Sequence, residues 1–157
     1  MPSPNHHILF VCTGNTGRSV AAAALARHLI VTRGLALMVG SRGVAVDLTN
    51  TRPEAPVVDL LASRGIDVSA HRATRLTGAD VAGADCLLTM TASHKRIVLD
   101  RFPASAGKVR MLSELADGTE TDVADAFGSA VAVYQRLLTD LDVMVTRALD
   151  RLIPRGM

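Results

Sequence analysis

A short apolar run that ends in a cysteine and passes through a glycine-containing turn into an alanine-rich segment is the feature that most constrains this fold. Residues 7–12 (HILFVC) contain β-forming side chains, and residues 19–34 (SVAAAALARHLIVTRG) have the Ala/Leu periodicity and closing glycine of a helix. A strand that leads this directly into a helix is typical of a βα unit. Successive βα units build a parallel sheet.

The same alternation continues along the chain. Further strands are predicted at 36–41, 85–90 and 108–113. Further helices are predicted at 55–65, at 77–83, at 93–102 and in a long C-terminal segment. Apolar residues recur at helical spacing in that last segment, at Tyr134, Leu138, Leu141, Val145, Leu149 and Leu152.

Two Thr-x-x-acid pairs have the spacing of a helix capping box, Thr51 with Glu54 and Thr77 with Asp80. The polar, acidic segment 114–128 is predicted to be a surface loop. We therefore expect an α/β fold: a four-stranded parallel sheet with helices on both faces, in a single domain over residues 1–157. Ligands of such folds bind beyond the carboxyl ends of the strands, where Cys12 is placed.

Composition excludes several classes of function. A net charge of +2 with interspersed acidic and basic residues indicates neither a nucleic-acid nor a membrane surface. The N-terminus lacks the layout of a signal peptide, so a cytoplasmic protein is expected. Two cysteines are too few for a disulfide framework and lack zinc-site spacing, so each is judged by its own surroundings.

The turn after the first strand, CTGNTGRS, has the character of a phosphate-binding loop. Gly14 and Gly17 permit a positive φ or a close backbone approach, and Asn15 tolerates the left-handed region. A curled loop at a helix start directs backbone N–H groups inward, which favours an anion. The predicted phosphate-binding residues are Thr13, Gly14, Asn15, Thr16, Gly17, Arg18 and Ser19.

Cys12 at the base of this loop is the candidate nucleophile. Helix N-termini and nearby arginine favour the thiolate form of cysteine, and Ser19 could donate a hydrogen bond to the sulfur. This arrangement indicates phosphoryl transfer through a cysteinyl-phosphate. Asp122 and Asp125 are both candidates for the acid that protonates the leaving group, and spacing alone does not choose between them.

Two other interpretations of the loop compete with this one. A lone cysteine at the end of a buried strand is usually a small core residue. A Walker A loop fits poorly, because GNTGRS lacks both the required spacing and the lysine.

Together these residues resemble the low-molecular-weight protein tyrosine phosphatase family, whose signature runs Cys-x5-Arg-Ser after the first strand. The similar segments also include GIDVSAHRA (65–73), MTASHKR (90–96) and DVADAFG (122–128). The resemblance implies Cys12 as nucleophile, Arg18 as phosphate clamp and Asp125 as acid and then base. It also implies that Asn15 and Ser19 organise the loop and that no metal or other cofactor is needed.

The chain departs from the family pattern at four positions: Val20 replaces a usual proline, Ala23 a glutamate, Gly17 a common second cysteine, and Ala126 the proline after the acid. The last departure bears on where the acid loop lies. Together, Ala126 and Ala23 also motivate an alternative of another class, a catalytically weak phosphate-binding relative.

The expected partners are phosphorylated protein substrates, and the sequence leaves the oligomeric state open. Thr16 and Phe127 are predicted to form the substrate wall. CTGNT, MTxxHK and the phenylalanine after the acid resemble the bacterial protein-arginine phosphatases, so phosphoarginine is slightly favoured over phosphotyrosine.

Three other residues are given structural roles. His71 and His94 are expected to be structural or surface residues, and Cys86 to be a core residue. The last expectation also argues against an arsenate reductase of the same fold, which would need further reactive cysteines.

Overall fold

Four parallel strands form the centre of the structure, a computed structural model that describes residues 6–153. The strands are β1 (His6–Cys12), β2 (Leu37–Gly43), β3 (Cys86–Thr89) and β4 (Val109–Met111). They pair in the order β2-β1-β3-β4, with all three pairings parallel. The predicted four-stranded parallel α/β fold is confirmed.

The helices connect these strands. They are α1 (Arg18–Arg33), α2 (Ala55–Ala62), α3 (Gly78–Gly83), α4 (Ala92–Arg101), α5 (Leu112–Asp117) and α6 (Val131–Leu152), with a 3₁₀ turn at Pro103–Ser105. Within residues 6–153, no helix is both long and apolar enough to span a bilayer.

Side chains of β1 alternate between two apolar layers, as a strand covered on both faces requires. Ile8 and Phe10 pack in the larger layer with α1 and α6, whereas Leu9 and Val11 pack in the smaller one with residues of α3 and α4. Both layers are buried, so the helices lie on both faces of the sheet as predicted.

The alanine-rich segment predicted as the first helix is deeply buried over its first half. All residues from Arg18 to Ala26 are buried, and α1 contacts both β2 and α6. Small side chains let these elements approach closely. Val20 and Ala23, two of the departures from the family pattern, are each 3% exposed, so apolar residues suit their surroundings.

One of the two predicted capping boxes is present. Thr77 Oγ1 accepts a hydrogen bond from the Asp80 backbone at 3.2 Å, and the Asp80 carboxylate accepts one from the Thr77 backbone at 3.0 Å. The prediction for Thr51 and Glu54 is wrong. Helix α2 begins at Ala55, and Glu54 occupies the N-cap position without capping through its side chain.

The prediction of a loop over 114–128 is wrong in its first part. Strand β4 ends at Met111, and α5 begins immediately afterwards. The Glu114 carboxylate accepts a hydrogen bond from the Met111 backbone at 2.9 Å, which stabilises the helix start, and Gly118 ends the helix in the left-handed conformation. Residues 119–130 do form the predicted irregular segment.

Gly43, the last residue of β2, pairs with Cys12 and lies against the turn that follows it. A Cβ atom there would be 2.6 Å from the Thr13 carbonyl oxygen and 2.8 Å from Val46 Cγ2. We expect Gly43→Ala to lower the free energy of unfolding by about 1–3 kcal/mol, as overpacking does. Urea denaturation would measure the loss.

Gly83→Ala is the matched control for this substitution. A Cβ atom at Gly83 would have no heavy atom within 4 Å, so alanine there should be neutral or stabilise α3 by less than about 1 kcal/mol. Equal midpoints for the two variants would show that the turn after β1 tolerates the added methyl group.

Candidate functional site

The turn between β1 and α1 lies at the carboxyl edge of the sheet. Cys12 ends β1 and is 3% exposed, and Gly17 is the N-cap of α1 without a side-chain cap. Asn15 adopts a φ of 58°, the left-handed conformation that its residue type permits. Gly14 and Gly17 do not have positive φ, but a methyl group on Gly17 would overlap the Glu54 carboxylate. Gly17 thus permits a close approach.

Carbonyl groups of this turn point outward, because donors from other segments bind them. The four hydrogen bonds are Val44 N to Cys12 O at 3.0 Å, Ala45 N to Thr13 O at 2.9 Å, His71 Nε2 to Asn15 O at 2.8 Å, and Glu54 N to Thr16 O at 2.8 Å. A peptide's N–H and C=O point in opposite directions. Each outward carbonyl therefore turns the N–H of the next residue inward.

The inward N–H groups have no acceptor in the part of the chain that the structure describes. Among residues 6–153, no oxygen accepts a hydrogen bond from the backbone N–H groups of residues 13–18. Several N–H groups converge at the start of a 16-residue helix, where the helix dipole adds positive potential. This combination favours a bound oxyanion such as phosphate.

A chain of hydrogen bonds directs a hydroxyl proton at the Cys12 sulfur. Asn15 Nδ2 donates to Ser19 Oγ at 2.8 Å, and Ser19 Oγ lies 2.9 Å from Cys12 Sγ. Because Asn15 occupies an acceptor site of the hydroxyl, its one hydrogen is free to point at the sulfur. This contact stabilises negative charge on Cys12.

Two histidines support the turn from outside, in line with the structural roles expected for them. His71 Nε2 contacts the Asn15 carbonyl, and His94 Nε2 lies 2.7 Å from Thr13 Oγ1. Burial, and then the charge of Arg18, lower the pKa of His94 to about 4, so its ring is neutral near pH 7. Burial also lowers the pKa of His71.

Arg18 joins the turn to the acidic segment. Its guanidinium is buried, Nη1 donates to the Val123 carbonyl at 2.9 Å, and Nη2 lies 3.9 Å from Asp125 Oδ2. The Asp125 side chain is 57% exposed, and its Oδ1 accepts a hydrogen bond from the Phe127 backbone at 3.0 Å. Asp125 therefore lies beside the anion site with one carboxylate oxygen turned toward Arg18.

Asp122 occupies a different place. Its Oδ1 accepts a hydrogen bond from Ala92 N, the first residue of α4, at 2.9 Å. Val123, the residue after Asp122, donates its N–H to the Met90 carbonyl at 2.8 Å. These contacts anchor the acidic segment, and Ala126 is 2% exposed in the core. The segment is thus held in place without a proline after Asp125.

A cavity of about 220 Å³ opens above the sulfur. Cys12, Thr13, Gly14, Thr16, Gly17, Arg18, Glu54, Asp125 and Phe127 line it. Phe127 is 67% exposed, and Thr16 Oγ1 donates to Glu54 Oε2 at 3.2 Å. The structure thus brings the predicted site residues together around one cavity except Asp122, with Asn15 and Ser19 joined to the Cys12 sulfur by hydrogen bonds.

Glu54 is the site residue that sequence reasoning missed. Its spacing from Thr51 indicated only a helix cap, and no motif marked it as a lining residue.

Cys86 is half-buried at the opposite end of the sheet. Its pairing partner, Ile8, lies four residues before Cys12, about 13 Å along the strand. Among the described residues, no three His, Cys, Asp or Glu side chains could together hold a metal ion.

Comparison with known proteins identifies relatives along nearly the full chain. The family model described as low molecular weight phosphotyrosine protein phosphatase matches residues 7–153. A protein-arginine-phosphatase from Geobacillus stearothermophilus is 35% identical over 148 residues, which cover 94% of this chain and 96% of that protein. A probable low molecular weight protein-tyrosine-phosphatase, EpsP, from Ralstonia nicotianae is 34% identical, with 94% of each chain covered.

Solved structures give the same result. The YwlE arginine phosphatase, determined as a cysteine-to-serine mutant with a phosphorylated active-site serine, superposes with a TM-score of 0.90. It is 31% identical, and the match covers 96% of this chain and 97% of that one.

The buried neutral His94 predicts a specific pH dependence of stability. Its pKa is about 4 in the folded protein and near 6.5 in an unfolded chain, so the unfolded state binds the proton first as the pH falls. Its stabilising contribution is complete above about pH 6.5 and is lost between there and pH 4, on the order of 3 kcal/mol. Urea unfolding at several pH values would measure this loss.

His94→Gln is the comparison variant, because it removes the titration and leaves His71 in place. Its free energy of unfolding should change less between pH 6.5 and 4.5 than that of the wild type. Parallel pH profiles for the two proteins would contradict the burial of a neutral His94.

Proposed function

Because the chain belongs to the low molecular weight phosphotyrosine protein phosphatase family, we propose that it hydrolyses phosphorylated protein side chains through a cysteinyl-phosphate intermediate. The observation that carries this proposal is the position of Cys12 Sγ, which lies beneath a ring of inward N–H groups and receives a hydroxyl contact from Ser19. A thiolate in that place is aimed at the phosphorus of a phosphoryl group bound by the ring.

The first step transfers the phosphoryl group to sulfur. The Cys12 thiolate attacks phosphorus, an S–P bond forms, and the bond from phosphorus to the side-chain nitrogen or oxygen breaks. The electron pair of that bond stays on the leaving atom, which takes a proton from Asp125. Arg18 keeps Nε and Nη2 for the phosphoryl oxygens while its Nη1 binds the Val123 carbonyl.

The second step regenerates the enzyme. Asp125, now a carboxylate, accepts a proton from a water molecule that attacks the phosphocysteine. The S–P bond breaks, its electrons return to sulfur as thiolate, and inorganic phosphate leaves. Asp125 is proposed for both roles because its carboxylate faces Arg18 and the cavity, whereas Asp122 binds the start of α4.

Phosphoarginine is proposed as the slightly favoured substrate. The small, polar Thr16 forms part of the wall, and two relatives named as protein-arginine phosphatases match 94% and 92% of this chain. The YwlE mutant with a phosphorylated active-site serine supports a covalent route in a related protein. Phosphotyrosine is the second candidate, because the exposed Phe127 ring beside the cavity could stack on a phenyl group.

Trapping the intermediate tests the central step. Rapid acid quench during turnover of para-nitrophenyl phosphate should leave phosphate on the peptide that contains Cys12. Cys12→Ser should lose turnover, and Cys86→Ser, which changes a cysteine at the far end of the sheet, should keep it. Wild-type turnover by Cys12→Ser would rule out the proposed mechanism.

The two aspartates should differ sharply. Asp125→Asn is expected to lower kcat by about 10²–10⁴ for substrates with poor leaving groups, as loss of a general acid does. Asp122→Asn should cost little, because the asparagine oxygen can still accept the hydrogen bond from Ala92 N. Rates measured on aryl phosphates of graded leaving-group pKa would show which variant depends on the leaving group. If only the rate of Asp122→Asn depended on the leaving group, Asp122 would be the general acid and Asp125 would not.

A further inference from the structure

Glu54 makes one backbone contact that shapes the anion site and two side-chain contacts that none of the proposed catalytic steps requires. Its backbone N–H holds the Thr16 carbonyl outward, its Oε2 accepts the Thr16 hydroxyl at 3.2 Å, and its Oε1 accepts the Tyr134 phenol at 2.6 Å. The side chain thus turns away from the helix it precedes. It is held from two sides against the loop after β1.

These contacts place a carboxylate at the wall of the anion site. Glu54 lines the same cavity as Cys12 and Arg18, and it lies so close to Gly17 that a methyl group there would overlap it. Among the described residues, Glu54 forms no ion pair. No lysine or arginine side chain of residues 6–153 therefore comes within 4 Å of its carboxylate oxygens.

A carboxylate beside a phosphate site repels the phosphoryl dianion, so its presence needs a compensating partner. The phenyl ring of phosphotyrosine has no charge and no hydrogen to donate to Glu54. The guanidinium of phosphoarginine carries a positive charge and several N–H donors in a plane, which suits a carboxylate. Of the two candidate substrates, phosphoarginine is thus the one whose leaving group is complementary in charge and hydrogen bonding to the Glu54 carboxylate.

We propose that Glu54 is a specificity-determining residue that binds the guanidinium group of a phosphoarginine substrate. Tyr134 is the positioning residue that holds the carboxylate in place. The inference rests on the proposed function, since it assigns a substrate to the same cavity.

Tyr134 is suited to this task because it is fixed and remains a donor. The residue is 3% exposed within the core between α6 and the rest of the larger apolar layer. Burial, followed by the hydrogen bond and charge of Glu54, raises the pKa of Tyr134 to about 12. Its phenol therefore keeps its proton throughout the physiological range.

The experiment compares kcat/KM on two peptides of one sequence, one with phosphoarginine and one with phosphotyrosine. Glu54→Gln should lower the value for the phosphoarginine peptide by about ten- to a hundredfold, the loss expected for a hydrogen bond to a charged group. The value for the phosphotyrosine peptide should stay the same or rise, because a negative charge beside the dianion is removed.

Tyr134→Phe provides a second, independent variant that retains the carboxylate. It should shift the ratio of the two substrates in the same direction but less, mainly through a higher KM for phosphoarginine. Asp59→Asn is the matched control, since it removes one carboxylate from the exposed face of the same helix, α2. This control should leave both values unchanged.

Equal losses on both peptides in Glu54→Gln would overturn the inference and show that Glu54 only supports the loop. An unchanged substrate ratio in both Glu54→Gln and Tyr134→Phe would overturn it as well. These outcomes leave the proposed function intact. A wild-type protein that turns over neither peptide would overturn the proposed function and the inference together.

Discussion

Hydrogen bonds that hold the carbonyl groups of the loop after β1 outward are the constraint on which the site depends. Their donors lie after β2, before α2 and at His71, so the whole carboxyl edge of the sheet must assemble before the loop's N–H groups can converge. Without these donors from other segments, nothing would hold the carbonyl groups of CTGNTGRS in their outward orientation. The fold therefore organises the anion site before any ligand arrives, which is what electrostatic preorganisation requires.

Sequence reasoning succeeded where the determinants are local. The strand, the loop and the helix that place Cys12 and Arg18 are contiguous, and the left-handed conformation of Asn15 follows from its own side chain. It failed at Glu54, because the spacing from Thr51 suggested a local cap while contacts with Thr16 and Tyr134, 38 and 80 residues away, decide the side chain's position. Tertiary contacts overrode a local pattern.

The acidic segment illustrates the same limit. Its composition predicted an irregular loop with two candidate acids, but not which one faces the site. The Asp122 carboxylate accepts a hydrogen bond from Ala92 at the start of α4, thirty residues earlier in the chain. Asp125 makes no such contact and lies beside Arg18. The buried Ala126, together with the bonds of Val123 to Met90 and Arg18, holds this segment. A proline is thus not the only way to position an acid loop.

The cavity has a polarity that bears on the leaving group. At its base, N–H groups and the Arg18 guanidinium face the phosphoryl oxygens, whereas Glu54 and Asp125 bring two carboxyl groups to its wall. If phosphoarginine is the substrate and Asp125 the acid, as proposed, Asp125 would become a carboxylate as it protonates the departing nitrogen, and the product arginine would stay cationic between two negative groups. Cleavage of the P–N bond would then be favoured, whereas release of the arginine product would be slower. A departing tyrosine, which is neutral, would not be retained in this way. If Glu54 selects the substrate as proposed, the same wall would also govern the step after bond cleavage.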